Sequence, residues 1–227
     1  MCNLRGSRPP NQWARLSTNP ACSAANHERR DIARPRRRRP NPDEAIGAVV
    51  RLNGRVFEAA AARAARRPAC DLYHSALEVR VGTARFVIEQ APVRDDRGER
   101  RGVVAEGPVG IRWAGRFRIL RYETRRWRDG RIPDVDEAVD SPRRLTDERP
   151  RAQRVLDLVP QVPTPVWGRD DLKTGDMWNS NSVIAWLIAR SGIDTESIHP
   201  TTAGRAPGWH AGLVVACRQQ ADMLPAP

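Results

Sequence analysis

Lysine is almost missing from this chain: of its 39 basic residues only Lys173 is not an arginine. Histidine and cysteine are scarce as well, with 4 of each in 227 residues. The cysteines stand at Cys2, Cys22, Cys70 and Cys217, with no CxxC pair and no dense spacing, which excludes a disulfide scaffold. Zinc needs several ligands converging at about 2 Å, whereas the nearest candidates, Cys70 and His74, would sit roughly 13 Å apart along an extended strand. No metal and no cofactor is therefore expected. No window approaches ~18 uninterrupted apolar residues, and no basic start leads into an apolar stretch, so neither a membrane span nor a secretory leader is expected. On that ground the chain reads as soluble and cytoplasmic. No internal repeat is visible, which sets solenoid architectures aside.

What is present is arginine, and its placement matters more than its number. The formal net charge is +12. Residues 1–45 hold ten Arg against Glu28, Asp31, Asp43 and Glu44, so half of the excess lies in that segment. It also carries Pro9-Pro10, Pro20, Pro35, Pro40 and Pro42 around the run Arg36 to Arg39, with few periodic apolar residues. Such a composition does not offset the entropy of ordering, and a disordered Arg/Pro-rich tail is expected over 1–45. In the remaining chain arginine is interleaved with acids, as in Arg94-Asp95-Asp96-Arg97 and Asp147-Glu148-Arg149. That is the pattern of a solvated surface rather than of a phosphate-binding stripe. Nucleic-acid binding through the tail stays open as an alternative function.

Residues 46–227 are the length of one domain. The run FEAAAARAARR, closed by Pro68, predicts a short helix over 55–67. Strands are expected at 72–81 and 84–90 around Gly82-Thr83, with shorter ones at 102–106, 109–113 and 116–123. A polar loop is expected over 124–142, then a helix over 146–159 with Thr146 as its cap. Residues 177–191 predict the clearest helix, stopped by Gly192. The sum is an α+β domain, a small antiparallel sheet flanked by helices.

Candidate chemistry follows from the scarce histidines. A II′ turn at Gly82-Thr83 pairs Val81 with Ala84, Val79 with Phe86 and Leu77 with Ile88, an apolar face for the core. Continued, the same register makes His74 and Glu89 diagonal neighbours on the other face, within reach of a carboxylate–imidazole contact. A polar surface pair is the plain alternative for these two residues. The helix at 177–191 opens with Asn179-Ser180-Asn181-Ser182. A hydroxyl in a first turn lies in the favourable field of the helix N-terminus, where backbone N–H groups can hold an oxyanion. Ser and Asn are also the commonest capping residues, and periodicity does not choose among Asn179, Ser180 and Ser182.

The segments YHSALEV (73–79), FVIEQ (86–90) and WNSNSVIAWLI (178–188) together resemble the circularly permuted papain-like fold of the PPPDE, lecithin:retinol acyltransferase-like and NlpC-type hydrolases. The resemblance implies His74 as general base, Glu89 as its orienter and Ser180 at the position of the nucleophile, where those families carry Cys. It implies Asn179, Asn181 and helix N–H groups as oxyanion donors. The expected function is then a hydrolase or acyltransferase acting on an amide, ester or thioester of a small acyl or peptide-like substrate. A serine must lose its proton during attack, whereas a thiol is drawn to thiolate, so the alternative is a catalytically inactive papain-like binding module. The stretch 204–210 (GRAPGWH) is a candidate cleft rim presenting Trp209 and His210, or else a turn with a packing Trp. Trp113 and Trp127, with arginines nearby, are expected in core or cation–π packing rather than in base stacking.

Overall fold

The computed structural model describes residues 13–20, 63, 66, 70–93, 102–132, 143–198 and 204–223. Its centre is a mixed sheet of seven strands: β1 (Trp13–Pro20), β2 (Asp71–Val81), β3 (Ala84–Pro92), β4 (Val103–Pro108), β5 (Arg121–Arg128), β6 (Arg143–Thr146) and the two-residue β7 (Gly204–Arg205). The order is β4-β5-β3-β2-β1-β6, antiparallel throughout, with β7 added in parallel to the start of β2. Three helices complete the described elements: α1 (Arg149–Leu158), α2 (Ser180–Arg190) and α3 (Trp209–Ala221). The α+β class expected from the sequence is what is observed.

The β2–β3 hairpin follows the arithmetic of its turn. Of the two turn residues Gly82 takes φ +61° and Thr83 has no positive φ, as a II′ turn requires. Val81 pairs with Ala84, Val79 with Phe86 and Leu77 with Ile88. Leu77, Val79 and Ile88 then lie on one face and pack with Val155 and Leu158 of α1 and Val183, Ile184 and Leu187 of α2, all buried. Successive residues alternate across a strand, so this single choice of register assigns every other side chain to a face.

Four expectations need correction. Residues 1–45 are not a tail throughout, because Trp13–Pro20 forms β1, paired from Trp13↔Arg80 to Pro20↔Tyr73 on one side and with β6 on the other. Its ladder is made by backbone groups, which a search for apolar periodicity does not register, and it covers the edge that β2 would otherwise leave open. Residues 109–113 and part of 116–123 are not strands; they form 3-10 turns at Arg112–Arg116 and Arg118–Leu120. The polar stretch after 123 is not all loop, since β5 runs on to Arg128 with Arg125 inside the protein. Thr146 does not cap α1, whose N-cap is Glu148 without a side-chain bond; the Thr146 hydroxyl instead accepts from Glu148 N at 3.1 Å. The Ala-rich run at 55–67 falls outside the described residues apart from Arg63 and Arg66.

Candidate functional site

The first turn of α2 is the most densely bonded polar region of the described protein. Asn179 is the N-cap: its Oδ1 accepts from the backbone of Asn181 (2.9 Å) and Ser182 (3.4 Å), while Asn179 N donates to Ser182 Oγ (3.0 Å). This is a capping box with Ser in the reciprocal position. Beyond the cap, the same turn grips the chain that enters α3. Asn179 Nδ2 donates to Pro207 O (2.8 Å), Asn181 Nδ2 donates to Pro207 O (2.8 Å) and to Tyr73 O (2.9 Å), and Ser182 Oγ donates to Gly208 O (2.7 Å). Gly208 N closes the circuit on Asp176 Oδ2 at 2.7 Å. Gly208 sits at φ +85°, and a Cβ there would run into the side chains of Asn179 and Ser182. α2 and α3 are thus latched at their N-termini and tied to the start of β2.

These bonds limit what the turn can do chemically. A neutral amide carries two N–H donors, and both hydrogens of Asn181 are engaged by buried carbonyls, which also fixes the orientation of the amide. The backbone N–H groups of Asn181 and Ser182, which a nucleophile's oxyanion would need, are taken by Asn179 Oδ1. Ser180 differs from its neighbours: it is buried, yet its hydroxyl has no hydrogen-bond partner among the described residues.

His74 and Glu89 do share a face, but it is the face away from α2. The β1–β2 register is unbroken from Arg80 to Tyr73, so His74 lies with Ala76 and Glu78 and not with Leu77 and Val79, the face that α2 covers. The β2–β3 ladder stops at Leu77↔Ile88, short of the extrapolated pairing of His74 with Ala91. Past that point β3 continues against β5, with Glu89 opposite Arg125. Arg125 donates from Nη1 to Glu89 Oε1 (2.8 Å) and from Nε to Glu123 Oε1 (2.5 Å). All three side chains are almost completely buried. The tether from Asn181 to Tyr73 O brings the His74 backbone beside the first turn of α2, but the three residues of a Ser-His-Glu arrangement are divided between the two faces of the sheet.

At the proposed rim, Trp209 packs against the core and His210 is exposed, with Pro207 and Gly208 serving the latch. Nothing in ETRRWR (123–128) separates Glu123 and Arg125 from their neighbours until strand alternation places them. The other surprise is Trp113, which is 58% exposed rather than in the core. Arg116 lies over its ring at 5.7 Å, so the expected cation–π contact is present, but on the surface. Trp127 is half-buried, its ring over Gly130. Among the described residues no group of three or more His, Cys, Asp or Glu could hold a metal, and no helix is long and apolar enough to cross a membrane. No family model, no curated protein and no solved structure matches the chain.

Proposed function

We propose that this protein is a non-catalytic binding domain for an anionic partner, built on a scaffold of the permuted papain-like type. The observation that carries this proposal is the occupancy of the α2 turn: the amide and backbone donors that an acyl-transfer site would aim at an oxyanion hold the cap and the latch instead. The placement of His74 and Glu89 on the sheet face opposite α2, and the ion pair of Glu89 with Arg125, point the same way. The net charge of +12, half of it carried by residues 1–45, supports an anionic partner.

A hydrolase or acyltransferase with Ser180 as nucleophile is the second reading, favoured by one fact: the Ser180 hydroxyl is the one polar side chain of the turn left without a hydrogen bond among the described residues. One experiment separates the two. A binding domain leaves a broad serine-reactive fluorophosphonate unreacted while wild type remains folded. Labelling that disappears in both Ser180→Ala and His74→Ala would replace the binding domain by the enzyme.

A further inference from the structure

The segment between β4 and β5 is a built surface feature with no role in the sites above. Val109 N donates to Leu120 O at 2.9 Å, so residues 109–120 close on themselves at the neck as an Ω-loop. Two flanking bonds, Trp167 N to Pro108 O (2.9 Å) and Gly110 N to Trp167 O (3.0 Å), fasten the neck to the chain before α2. Under it stands Tyr122, fully buried, its hydroxyl on Pro165 O at 2.8 Å and its ring edge-on to Trp167. Inside the loop three backbone bonds, Ala114 N to Ile111 O, Phe117 N to Ala114 O and Leu120 N to Phe117 O, wind it into consecutive 3-10 turns around the buried Ala114.

What this rigid frame displays is apolar. Ile119 is 86% exposed, and Ile111, Trp113, Phe117 and Leu120 are exposed beside it, with Trp113 and Phe117 in edge contact at 6.3 Å. Together they present on the order of 500 Å², the upper end of what a monomer normally leaves uncovered. Interleaved with them are Arg112, Arg116, Arg118 and Arg121; the segment 109–121 contains no acid, but Arg112 pairs with Asp171 at 3.4 Å and Arg121 with Glu106 at 2.8 Å. We infer that this Ω-loop docks the protein onto an anionic lipid bilayer, with Trp113, Phe117 and Ile119 entering the interface and Arg116 and Arg118 placed at the level of the lipid phosphates. The inference rests on the anionic-partner proposal and gives that partner a surface.

Charge and shape select the bilayer over other anions. Nucleic-acid platforms stack bases on open aromatic faces; here Arg116 lies over one face of the Trp113 ring, and the most exposed side chain is the aliphatic Ile119. A second copy meeting this one loop to loop would bring Arg116 and Arg118 of each against the other, like charge on like. A peptide needs a groove or a sheet edge to lie in, and a loop closed at its neck with its apolar side chains outward offers neither. A bilayer interface takes both kinds of side chain at once, the apolar ones below the headgroups and the arginines at them.

The test is sedimentation of the full chain with phosphatidylcholine vesicles, with and without phosphatidylserine, for wild type, Phe117→Ser/Ile119→Ser and Arg116→Gln/Arg118→Gln. Wild type is expected to bind the phosphatidylserine vesicles. The serine pair, which leaves the charge unchanged, is expected to weaken binding about tenfold or more, and the glutamine pair to weaken it similarly. Circular dichroism should be unchanged, since all four side chains are exposed. Binding of the serine pair equal to wild type would mean attraction by charge alone and overturn the inference. So would loop-dependent binding of a single-stranded oligonucleotide in place of vesicles. Binding to heparin without binding to vesicles removes the bilayer but keeps the anionic partner, whereas binding to neither removes both.

Discussion

Replacing Asn181 by Ala tests the central claim that the α2 turn is occupied by structural bonds. The change removes two hydrogen bonds, to Tyr73 O and Pro207 O, and leaves both carbonyls short of a donor at a residue that is 2% exposed. Each such bond contributes about 1 kcal/mol net, and each buried group left unpaired costs about 1–3 kcal/mol, part of which Asn179 Nδ2 offsets by still serving Pro207 O. The expected loss is about 2–4 kcal/mol, a large share of the roughly 5–15 kcal/mol that holds a domain together. With a urea dependence of about 2 kcal/mol per molar, the unfolding midpoint falls by about 1–2 M. Tryptophan fluorescence reports it, because Trp178 and Trp186 are both about 1% exposed and sit on either side of the turn. The neighbouring Ser180→Ala is the internal control: its hydroxyl makes no bond among the described residues, so a change within about 0.5 kcal/mol is expected. A loss below about 1 kcal/mol in Asn181→Ala, or an equal loss in Ser180→Ala, would refute the latch.

Gly208→Ala should damage the same circuit from the other side, since it imposes a left-handed side-chain residue and drives a methyl group into Asn179 and Ser182; a loss of about 2 kcal/mol or more by urea unfolding is expected. Arg125→Met removes the cation bonded to Glu89 and Glu123 and should cost about 3–5 kcal/mol, while the triple change Glu89→Leu/Arg125→Met/Glu123→Leu should recover most of it, a contrast measured by comparing midpoints. The Asp170 carboxylate accepts from Thr174 N and Gly175 N, and these bonds, that of Thr174 foremost, hold its pKa below the ordinary aspartate value. A depressed carboxylate stabilises the fold above the unfolded pKa of about 4 and loses that contribution as pH falls through its own lower value. Carbon-detected NMR titration should therefore find Asp170 titrating below the ordinary aspartate value, and Asp170→Asn should abolish the acid-side loosening of the 170–175 turn.

Local rules were enough for two parts of the fold. Gly82-Thr83 dictated a II′ hairpin and, through it, which of Leu77, Val79, Phe86 and Ile88 share a face. The apolar run from Val183 to Ala189, with Asn and Ser before it and Gly192 after it, dictated a buried helix whose C-terminal glycine takes φ +74°. The chemistry of the candidate site was legible as residue types, but not as roles. Asn179, Asn181 and Ser182 are the same residues whether they stabilise an oxyanion or cap a helix, and the choice fell to Pro207, Gly208 and Tyr73, which are remote in sequence. His74 and Glu89 become neighbours only if the β2–β3 ladder runs three pairs past Leu77↔Ile88; it stops there, while β3 keeps its pairing with β5, where Arg125 meets Glu89. β1 was hidden because backbone pairing needs no apolar signature. Trp113, Phe117 and Ile119 reach solvent for a related reason: hydrophobicity drives a side chain toward an apolar neighbour, and whether that neighbour belongs to the same molecule depends on how remote segments pack.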